Sequence, residues 1–309
     1  MNSKLFLGVA DNNQTATAVV GDSRGNVIAA SRGGSVNFHF HQPELARQNF
    51  KNLISETIGW RKRKKLKMVS FTYKSNFAEK SGNLCYLVQG VLEEAEIQTT
   101  DFVTTCTLGV PGKERMVLMG GQTGVVVYDD FAGLRFRLCQ QFLVRDLFRR
   151  IFKKIENESG AFGLRGLLQI IQDNRCVPEH DKFATAALSL NRLAEKGNPL
   201  ALEIITDIAH ELIRLVVKMA RHMQVLDPVI GLYGKVLLDC TLVLEKVCSV
   251  VTGLYPGARL QAAPLAPAKG AYLSSLLAKK LEIDEQVITN LESTSNNLGP
   301  EPVCGLEMF

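Results

Sequence analysis

The feature that most constrains the fold is the order of the first segments, in which three short β-prone runs precede one amphipathic helix. The runs cover residues 5–9, 15–21 and 27–31, and clusters of Asp, Asn, Ser and Gly separate them. Pro43 then begins a segment that stops before Gly59 and whose apolar residues recur at helical spacing. This order predicts an antiparallel meander followed by a helix, which is typical of an α/β layer.

Further strand and helix patterns continue this arrangement up to about residue 128. The spacing predicts a strand over 68–73, a helix over 84–95 and a strand over 101–108. Residues 116–119 and 125–128 are β-prone and flank a glycine-rich loop at 120–124, which predicts a hairpin.

The second half is predicted to be mostly helical. The most regular pattern is an apolar stripe over 200–223, preceded by Asn198 as a candidate N-cap and by Pro199 at the first helical position. Other predicted helices cover 142–155, 183–194, 236–251 and 271–281, and short strands are predicted at 229–232 and 259–263. Strand, glycine turn and helix in this order is the plan of an α/β nucleotide site.

Length and composition limit the possible architectures. With 309 residues, 46% apolar and 22% charged, the chain is large for a single core, and we expect two domains. We place them at 1–118 and 119–281, followed by an acidic flexible tail over 282–309. No run of 18 apolar residues occurs, and the seven cysteines form no C-x-x-C pair, so we expect a cytoplasmic protein with reduced thiols and no structural metal.

A basic run at residues 61–67 contains six Lys or Arg in seven positions and lies beside aromatic residues. Clustered cations attract phosphate, so a nucleic-acid groove and an anionic membrane surface are both conceivable. A solvated helix end is the more common explanation of such a run. Because nothing else in the sequence supports these partners, we expect neither nucleic acid nor membrane.

Four segments of the sequence resemble a known family. Residues 7–17 occupy the place of a first phosphate loop, Gly33 to Asn37 is similar to a Gly-x-x-x-Asn segment beside a sugar, and residues 120–124 resemble a second phosphate loop. Residues 229–234 and 266–271 resemble an adenosine-side loop and a closing Gly-Ala helix start. The chain thereby resembles the N-acetylglucosamine kinases and the BadF/BadG/BcrA/BcrD ATPases of the sugar kinase, heat-shock chaperone and actin superfamily.

The resemblance implies a fold and a set of ligand-binding residues. The implied fold is α/β, with two actin-like (ribonuclease H-like) domains around a cleft and a helix-rich second domain. The implied ligands are ATP, Mg²⁺ and an amino sugar. The resemblance is also compatible with a homodimer. The implied site residues are Asp11, Thr15, Thr17, Gly121, Thr123 and Gly124 for phosphate, Asp11 also for the metal, Gly231, Gly234 and Gly270 for adenosine, and Asn37 for the sugar.

The sequence also departs from the family pattern. Asn12, Asn13 and Gln14 stand where relatives have glycines, which let backbone N–H groups approach phosphate closely. The segment that carries the catalytic base in relatives is absent between Gly112 and Gly120, so Asp129 and Asp130 are the candidate catalytic carboxylates.

Two functions follow from the resemblance and from these departures. The first is an ATP-dependent sugar kinase that transfers a phosphoryl group to an N-acetylglucosamine-type sugar. The alternative is an inactive pseudokinase that binds sugar or nucleotide and acts as a regulatory or interaction protein.

Overall fold

The computed structural model describes residues 4–38, 41–73, 81–92, 94–110, 115–120, 124–129, 135–140, 179–262 and 266–296. The strands are β1 Leu5–Asp11, β2 Thr15–Asp22, β3 Val27–Gly34, β4 Leu66–Tyr73, β5 Glu96–Asp101, β6 Arg115–Gly120, β7 Gly124–Asp129, β8 Arg135–Gln140, β9 Val229–Tyr233 and β10 Arg259–Ala262. The helices are α1 Pro43–Lys62, α2 Ser81–Val88, α3 Phe102–Leu108, α4 Glu179–Glu195, α5 Pro199–Met223, α6 Lys235–Leu238, α7 Thr241–Leu254, α8 Ala266–Ala278 and α9 Glu285–Asn296.

The chain forms two compact units, and the second is inserted into the first. The first unit combines Met1–Gly112 with Leu265–Phe309, and the second is Lys113–Pro264. The predicted division at 118/119 and at 281 therefore needs correction. Helix α8 belongs to the first unit because it packs on β1, where a Cβ added to Gly8 would lie only 2.1 Å from the backbone N of Tyr272.

The first unit is a five-stranded sheet with helices on both faces. Its order is β3-β2-β1-β4-β5, in which β1, β2 and β3 are antiparallel neighbours and β4 and β5 run parallel to β1. Leu7 and Val9 share a buried cluster with Phe50 of α1, whereas the intervening Gly8 meets α8. This alternation places successive β1 residues on opposite faces, as a strand requires.

The second unit repeats the same strand order. Its sheet is β10-β9-β6-β7-β8, with β6, β7 and β8 antiparallel in turn and β9 and β10 parallel to β6. Helices α4, α5 and α7 supply most of its core. The predicted α/β architecture of two actin-like units with a helix-rich second unit is confirmed.

Several local predictions are correct. The opening meander, α1, the hairpin of β6 and β7, and α5 all form where the sequence predicts them. The side chain of Asn198 accepts a 3.0 Å hydrogen bond from the backbone N of Ala201, which confirms the predicted N-cap.

Other local predictions are wrong for identifiable reasons. Residues 101–108 are not a strand, because the Asp101 carboxylate accepts from the backbone N of Thr104 at 2.8 Å and caps α3. Helix α2 ends at Val88, ahead of Gly90 with a φ of 69°, so the prediction of a helix to 95 is too long. The helix predicted at 236–251 is divided at Cys240, and the helix predicted at 142–155 lies outside the described residues.

The predicted flexible tail contains an ordered helix, α9. Thr294 Oγ1 accepts a 2.8 Å hydrogen bond from the backbone N of Val27, and Asn290 Nδ2 donates to the carbonyl of Arg24 at 2.7 Å. Val287 and Leu291, one helical turn apart, are buried. These contacts fix residues 285–296 against the first unit despite their polar composition.

Candidate ligand-binding site

The carboxylate of Asp11 lies buried at the end of β1 and is fully engaged. Its Oδ1 accepts from the backbone N of Asn13 at 2.6 Å and from Ser35 Oγ at 3.1 Å. Its Oδ2 accepts from Ser35 Oγ at 2.9 Å and from the backbone N of Val36 at 2.6 Å. Both oxygens therefore hold the β1–β2 turn and the segment after β3 together.

Burial is the main influence on the protonation of Asp11. Desolvation raises the pKa of its carboxyl above the ordinary value, while the hydrogen bonds from Val36, Asn13 and Ser35 and the nearby His41 act in the opposite direction. The same carboxylate contributes, after burial, to raising the pKa of Tyr73 well above its usual range. Tyr73 is paired with Asp11 across β1 and β4.

The turn that follows Asp11 uses its own backbone N–H groups. The N of Asn12 donates to the carbonyl of Thr15 at 3.1 Å, and the N of Asn13 donates to Asp11. The N of Gln14 and the N of Thr15 both donate to Asn12 Oδ1, at 3.1 and 2.9 Å. Asn13 has a φ of 76°, a conformation that Asn tolerates better than most residues. All four donors that a phosphate loop would direct at its ligand are thus bonded within the turn.

Arg32 is a cation at this turn that the sequence analysis did not identify. Its Nε and Nη2 donate to Thr15 Oγ1 at 3.2 and 3.1 Å, and its backbone is paired with Thr17 across β2 and β3. Thr15 and Thr17 are half-buried, whereas Arg32 is exposed. The register of the two strands brings Arg32 here, and that register could not be read from the residues alone.

The predicted sugar-side residue joins the same cluster. Asn37 is completely buried, and its Nδ2 donates to Asn13 Oδ1 at 3.0 Å. Its backbone N donates to Ser35 Oγ at 3.2 Å, and Asn49 Nδ2 donates to the carbonyl of Ser35 at 2.8 Å. The structure thus brings Asp11 and Asn37 together through Ser35 and Asn13, two residues without a predicted ligand role.

In the second unit, two predicted glycine segments meet. Gly120 ends β6, and Gly234 follows β9 with a φ of 104°. A Cβ on Gly234 would lie 2.3 Å from the carbonyl oxygen of Gly120, so only glycine fits this position. Gly124 begins β7 opposite Gly120, and Gly231 is buried inside β9 between Val117 and Gln261. Gly120 of the predicted second phosphate loop and Gly234 of the predicted adenosine-side loop therefore lie at the same end of the second sheet.

The remaining predicted site residues lie in other elements or outside the described residues. Gly270 lies inside α8 of the first unit, where a Cβ would meet the carbonyl oxygen of Thr105 at 1.7 Å, so packing against α3 already requires glycine. The backbone of Asp129 ends β7 opposite the buried Arg115. The predicted residues Gly121, Thr123 and Asp130 lie outside the described residues.

Neither a metal centre nor a membrane span is found in the described ranges. Within them, His, Cys, Asp and Glu residues form no cluster of three or more that could hold a metal ion. None of the described helices is both long enough and apolar enough to cross a membrane.

The comparisons with known proteins identify the fold. No family profile matches this sequence, and no curated protein is significantly similar to it. A protein provisionally assigned as an N-acetylglucosamine kinase from Chromobacterium violaceum has a similar structure, with a TM-score of 0.61, 12% identity, and coverage of 90% of this chain and 100% of its own. A second such assignment, from Porphyromonas gingivalis, has a TM-score of 0.58, 14% identity, and coverage of 87% and 99%.

A third similar structure is a glucokinase of the ROK family. It comes from Streptomyces griseus, was determined in complex with glucose and AMPPNP, and has a TM-score of 0.53 at 15% identity, with coverage of 88% of this chain and 99% of its own. The repeated five-stranded units and these likenesses show the fold: the chain has the fold of these sugar kinases.

Proposed function

We propose that this chain is a sugar kinase-like protein that binds a nucleotide and a sugar without transferring phosphate between them. The observation that carries the proposal is the closed turn after β1. Its four backbone N–H groups and both oxygens of Asp11 are already bonded to neighbouring protein groups. A phosphoryl-transfer site needs such donors and a carboxylate free to meet phosphate and metal.

The nucleotide side of the proposal rests on the second unit. Gly234, at the start of α6, lies with its backbone against the backbone of Gly120 at the end of β6, and neither residue carries a side chain. A loop without side chains lets a ligand approach the backbone, which suits an adenine nucleotide. ATP is therefore the proposed ligand of the loops around Gly120, Gly124, Gly231 and Gly234.

The metal fits less well than the nucleotide. Mg²⁺ prefers carboxylate and water oxygens with open coordination positions. Asp11 is buried, and each of its oxygens accepts two hydrogen bonds, so it does not suit this role. We assign Asp11 to holding the turn rather than to binding metal.

An N-acetylglucosamine-type sugar is the proposed second ligand, on the basis of the segment from Gly33 to Asn37. Asn37 would act by holding Asn13 rather than by touching the sugar, because its amide is buried and donates to Asn13 Oδ1. Replacing Asn37 by Ala should therefore weaken sugar binding indirectly.

An active sugar kinase is the second candidate, and the likeness to a glucokinase in complex with glucose and AMPPNP favours it. In this case the γ-phosphoryl group would pass to a sugar hydroxyl and ADP would leave. The hydroxyl proton would pass to a carboxylate, for which Asp129 and Asp130 are the candidates.

Calorimetric titration and a product assay test the proposal on the full chain. ATP, ADP and N-acetylglucosamine are titrated separately, with and without Mg²⁺, and the mixture is then assayed for sugar phosphate. We expect heat from nucleotide and sugar and no sugar phosphate. Sugar phosphate formation would establish the active kinase, and no binding of nucleotide would refute both candidates.

A charge variant tests the position of the nucleotide. Lys235 is exposed and directly follows Gly234, so Lys235→Glu should weaken ATP binding about fivefold, equivalent to about 1 kcal/mol. Lys246→Glu on α7 makes the same charge change and should leave binding unaltered. A substitution at Gly270 would not test the nucleotide position, because a Cβ there already meets the carbonyl oxygen of Thr105 at 1.7 Å and the protein would not fold.

A further inference from the structure

Helix α1 breaks at Gly59, and the chain beyond the break forms a separate, cation-rich turn. Gly59 has a φ of 67° and a ψ of 155°, which interrupts the helix, and nothing lies within 4 Å of the position its Cβ would occupy. One further helical turn, a 3-10 turn at Arg63–Lys65 and the start of β4 follow. We call residues 60–67 the basic turn.

The basic turn exposes most of its cations together with the only tryptophan of the protein. Trp60 is 42% exposed, and the sequence contains a single Trp. Five of the six cations are also exposed: Arg61, Lys62, Lys64, Lys65 and Lys67. Glu56 is the one acidic residue in the eleven positions that end α1. The basic turn itself therefore carries a dense cluster of positive charge.

Arg63, the sixth cation, holds the turn in place. Its guanidinium lies 4.6 Å from the centre of the Trp60 ring, and its Nη1 donates to the carbonyl oxygens of Gly90 and Val91 at 3.2 and 3.4 Å. The indole and the cations are thus presented on an anchored turn rather than on a free loop.

The requirements of the helix end do not account for this composition. Cations in the last turn of a helix are favourable beside its partial negative charge, and Arg61 and Lys62 meet that need. Lys64, Lys65 and Lys67 lie beyond the helix, are exposed, and repel one another.

We propose that the basic turn docks the protein on an anionic lipid surface. Four to eight clustered cations beside an exposed Trp suit such a surface, because the cations meet the negative headgroups while the indole enters the interface. This inference is independent of the proposed sugar and nucleotide binding, and it departs from the sequence-based expectation of no membrane partner.

A membrane surface fits the turn better than single-stranded nucleic acid does. Bases bind by stacking on an open aromatic face, and Arg63 already covers one face of Trp60. Partition into an interface needs only exposed indole area and nearby cations.

The single Trp makes a direct test possible with the full chain. Trp60 fluorescence is recorded with phosphatidylcholine vesicles, with vesicles that also contain phosphatidylserine, and with a single-stranded oligonucleotide. We expect the emission to move to shorter wavelength only with the anionic vesicles, and brominated lipid to quench it. Higher salt should reduce the binding, since it screens the surface charges.

Two sets of variants distinguish lipid binding by the basic turn from a general attraction caused by the net charge of the protein. Neutralising Arg61, Lys64 and Lys65 to Gln should lower the vesicle partition coefficient about 100-fold, at about fivefold for each cation. The matched control changes three exposed lysines of the second unit, Lys196, Lys218 and Lys246, to Gln and should retain binding. Circular dichroism confirms that both variants are folded.

Three outcomes would overturn the proposal. The first is the absence of vesicle binding and of an emission shift with the anionic lipid. The second is an equal loss of binding in the control variant. The third is tight oligonucleotide binding that quenches Trp60 while vesicles leave its emission unchanged.

Discussion

At the scale of single residues, the buried carboxylate of Asp11 decides how the first half of the site can work. A carboxylate that accepts bonds from Asn13, Ser35 and Val36 is well suited to fixing a turn and poorly suited to exchanging ligands. The turn after β1 is consequently a rigid structural feature of this protein.

Removing the Ser35 hydroxyl tests this structural role. Ser35→Ala leaves Asp11 without two of its hydrogen-bond contacts and should lower the free energy of unfolding by about 1.5–3 kcal/mol. Urea unfolding measures the effect, with Ser23→Ala in an exposed turn as a control that changes stability by less than about 0.5 kcal/mol. Equal stability of the two variants would show that Asp11 is not anchored by Ser35.

The protonation of Asp11 should also appear in the pH dependence of stability. Burial raises the pKa of Asp11 above its ordinary value of 3.8, so in the interval between the two values the folded protein keeps a proton that the unfolded chain has released. Its contribution to the unfolding free energy is therefore greatest below about pH 4 and decreases as pH rises through the raised pKa. Asp11→Asn, which does not titrate, should lack this decrease when the two proteins are unfolded in urea across that pH range.

At the scale of elements, the first unit depends on close packing of helix α8 at two glycines, Gly8 and Gly270. Gly270→Ala places a methyl group against the carbonyl oxygen of Thr105 and should lower the free energy of unfolding by about 3 kcal/mol, because backbone must move. Gly253→Ala on α7 meets no atom within 4 Å and should raise stability by about 0.5–1 kcal/mol. Thermal unfolding of both variants checks the contrast, and a stable Gly270→Ala protein would contradict the packing of α8 on α3.

Elements were predictable where their own residues determine them. The stripe and Asn198 cap of α5 and the Asp/Asn turns of the meander depend on neighbours in sequence, and both were predicted. Helix α3 was missed because the Asp101 cap outweighs the β propensity of the Thr-rich run that follows it. Helix α9 was missed because its stability comes from contacts with Val27 and Arg24, more than 250 residues away.

The candidate site was predictable only in part for the same reason. Asp11 and Asn37 were identified from a resemblance, but the hydrogen bond from Ser35 to Asp11 and the pairing of Tyr73 with Asp11 depend on how the strands come together, which no local pattern reveals. The contact of Arg32 with Thr15 depends in the same way on the pairing of β2 with β3. The meeting of Gly120 and Gly234 likewise depends on the parallel pairing of β6 with β9.

At the scale of the whole molecule, the insertion of one unit into the other predicts unequal folding of fragments. The fragment 113–264 contains all strands of the second sheet and should fold alone, as judged by circular dichroism and a cooperative urea transition. The fragment 1–112 lacks α8, which covers Gly8 of β1, and should not fold cooperatively.

Joining 265–309 to residue 112 through a short glycine-serine linker should restore cooperative unfolding. Cooperative folding of 1–112 by itself would show that α8 is dispensable to the first sheet.

The late position of α8 in the chain also has a consequence for synthesis on the ribosome. The strands of the first sheet are complete by Asp101, but the helix that covers one of its faces begins only at Ala266. At about 5–20 residues per second, the nascent chain waits roughly 8–30 s for that helix. During this interval the uncovered face of β1 and β4 is open to chaperones and to other nascent chains, so the yield of native protein should depend on translation speed between the two units.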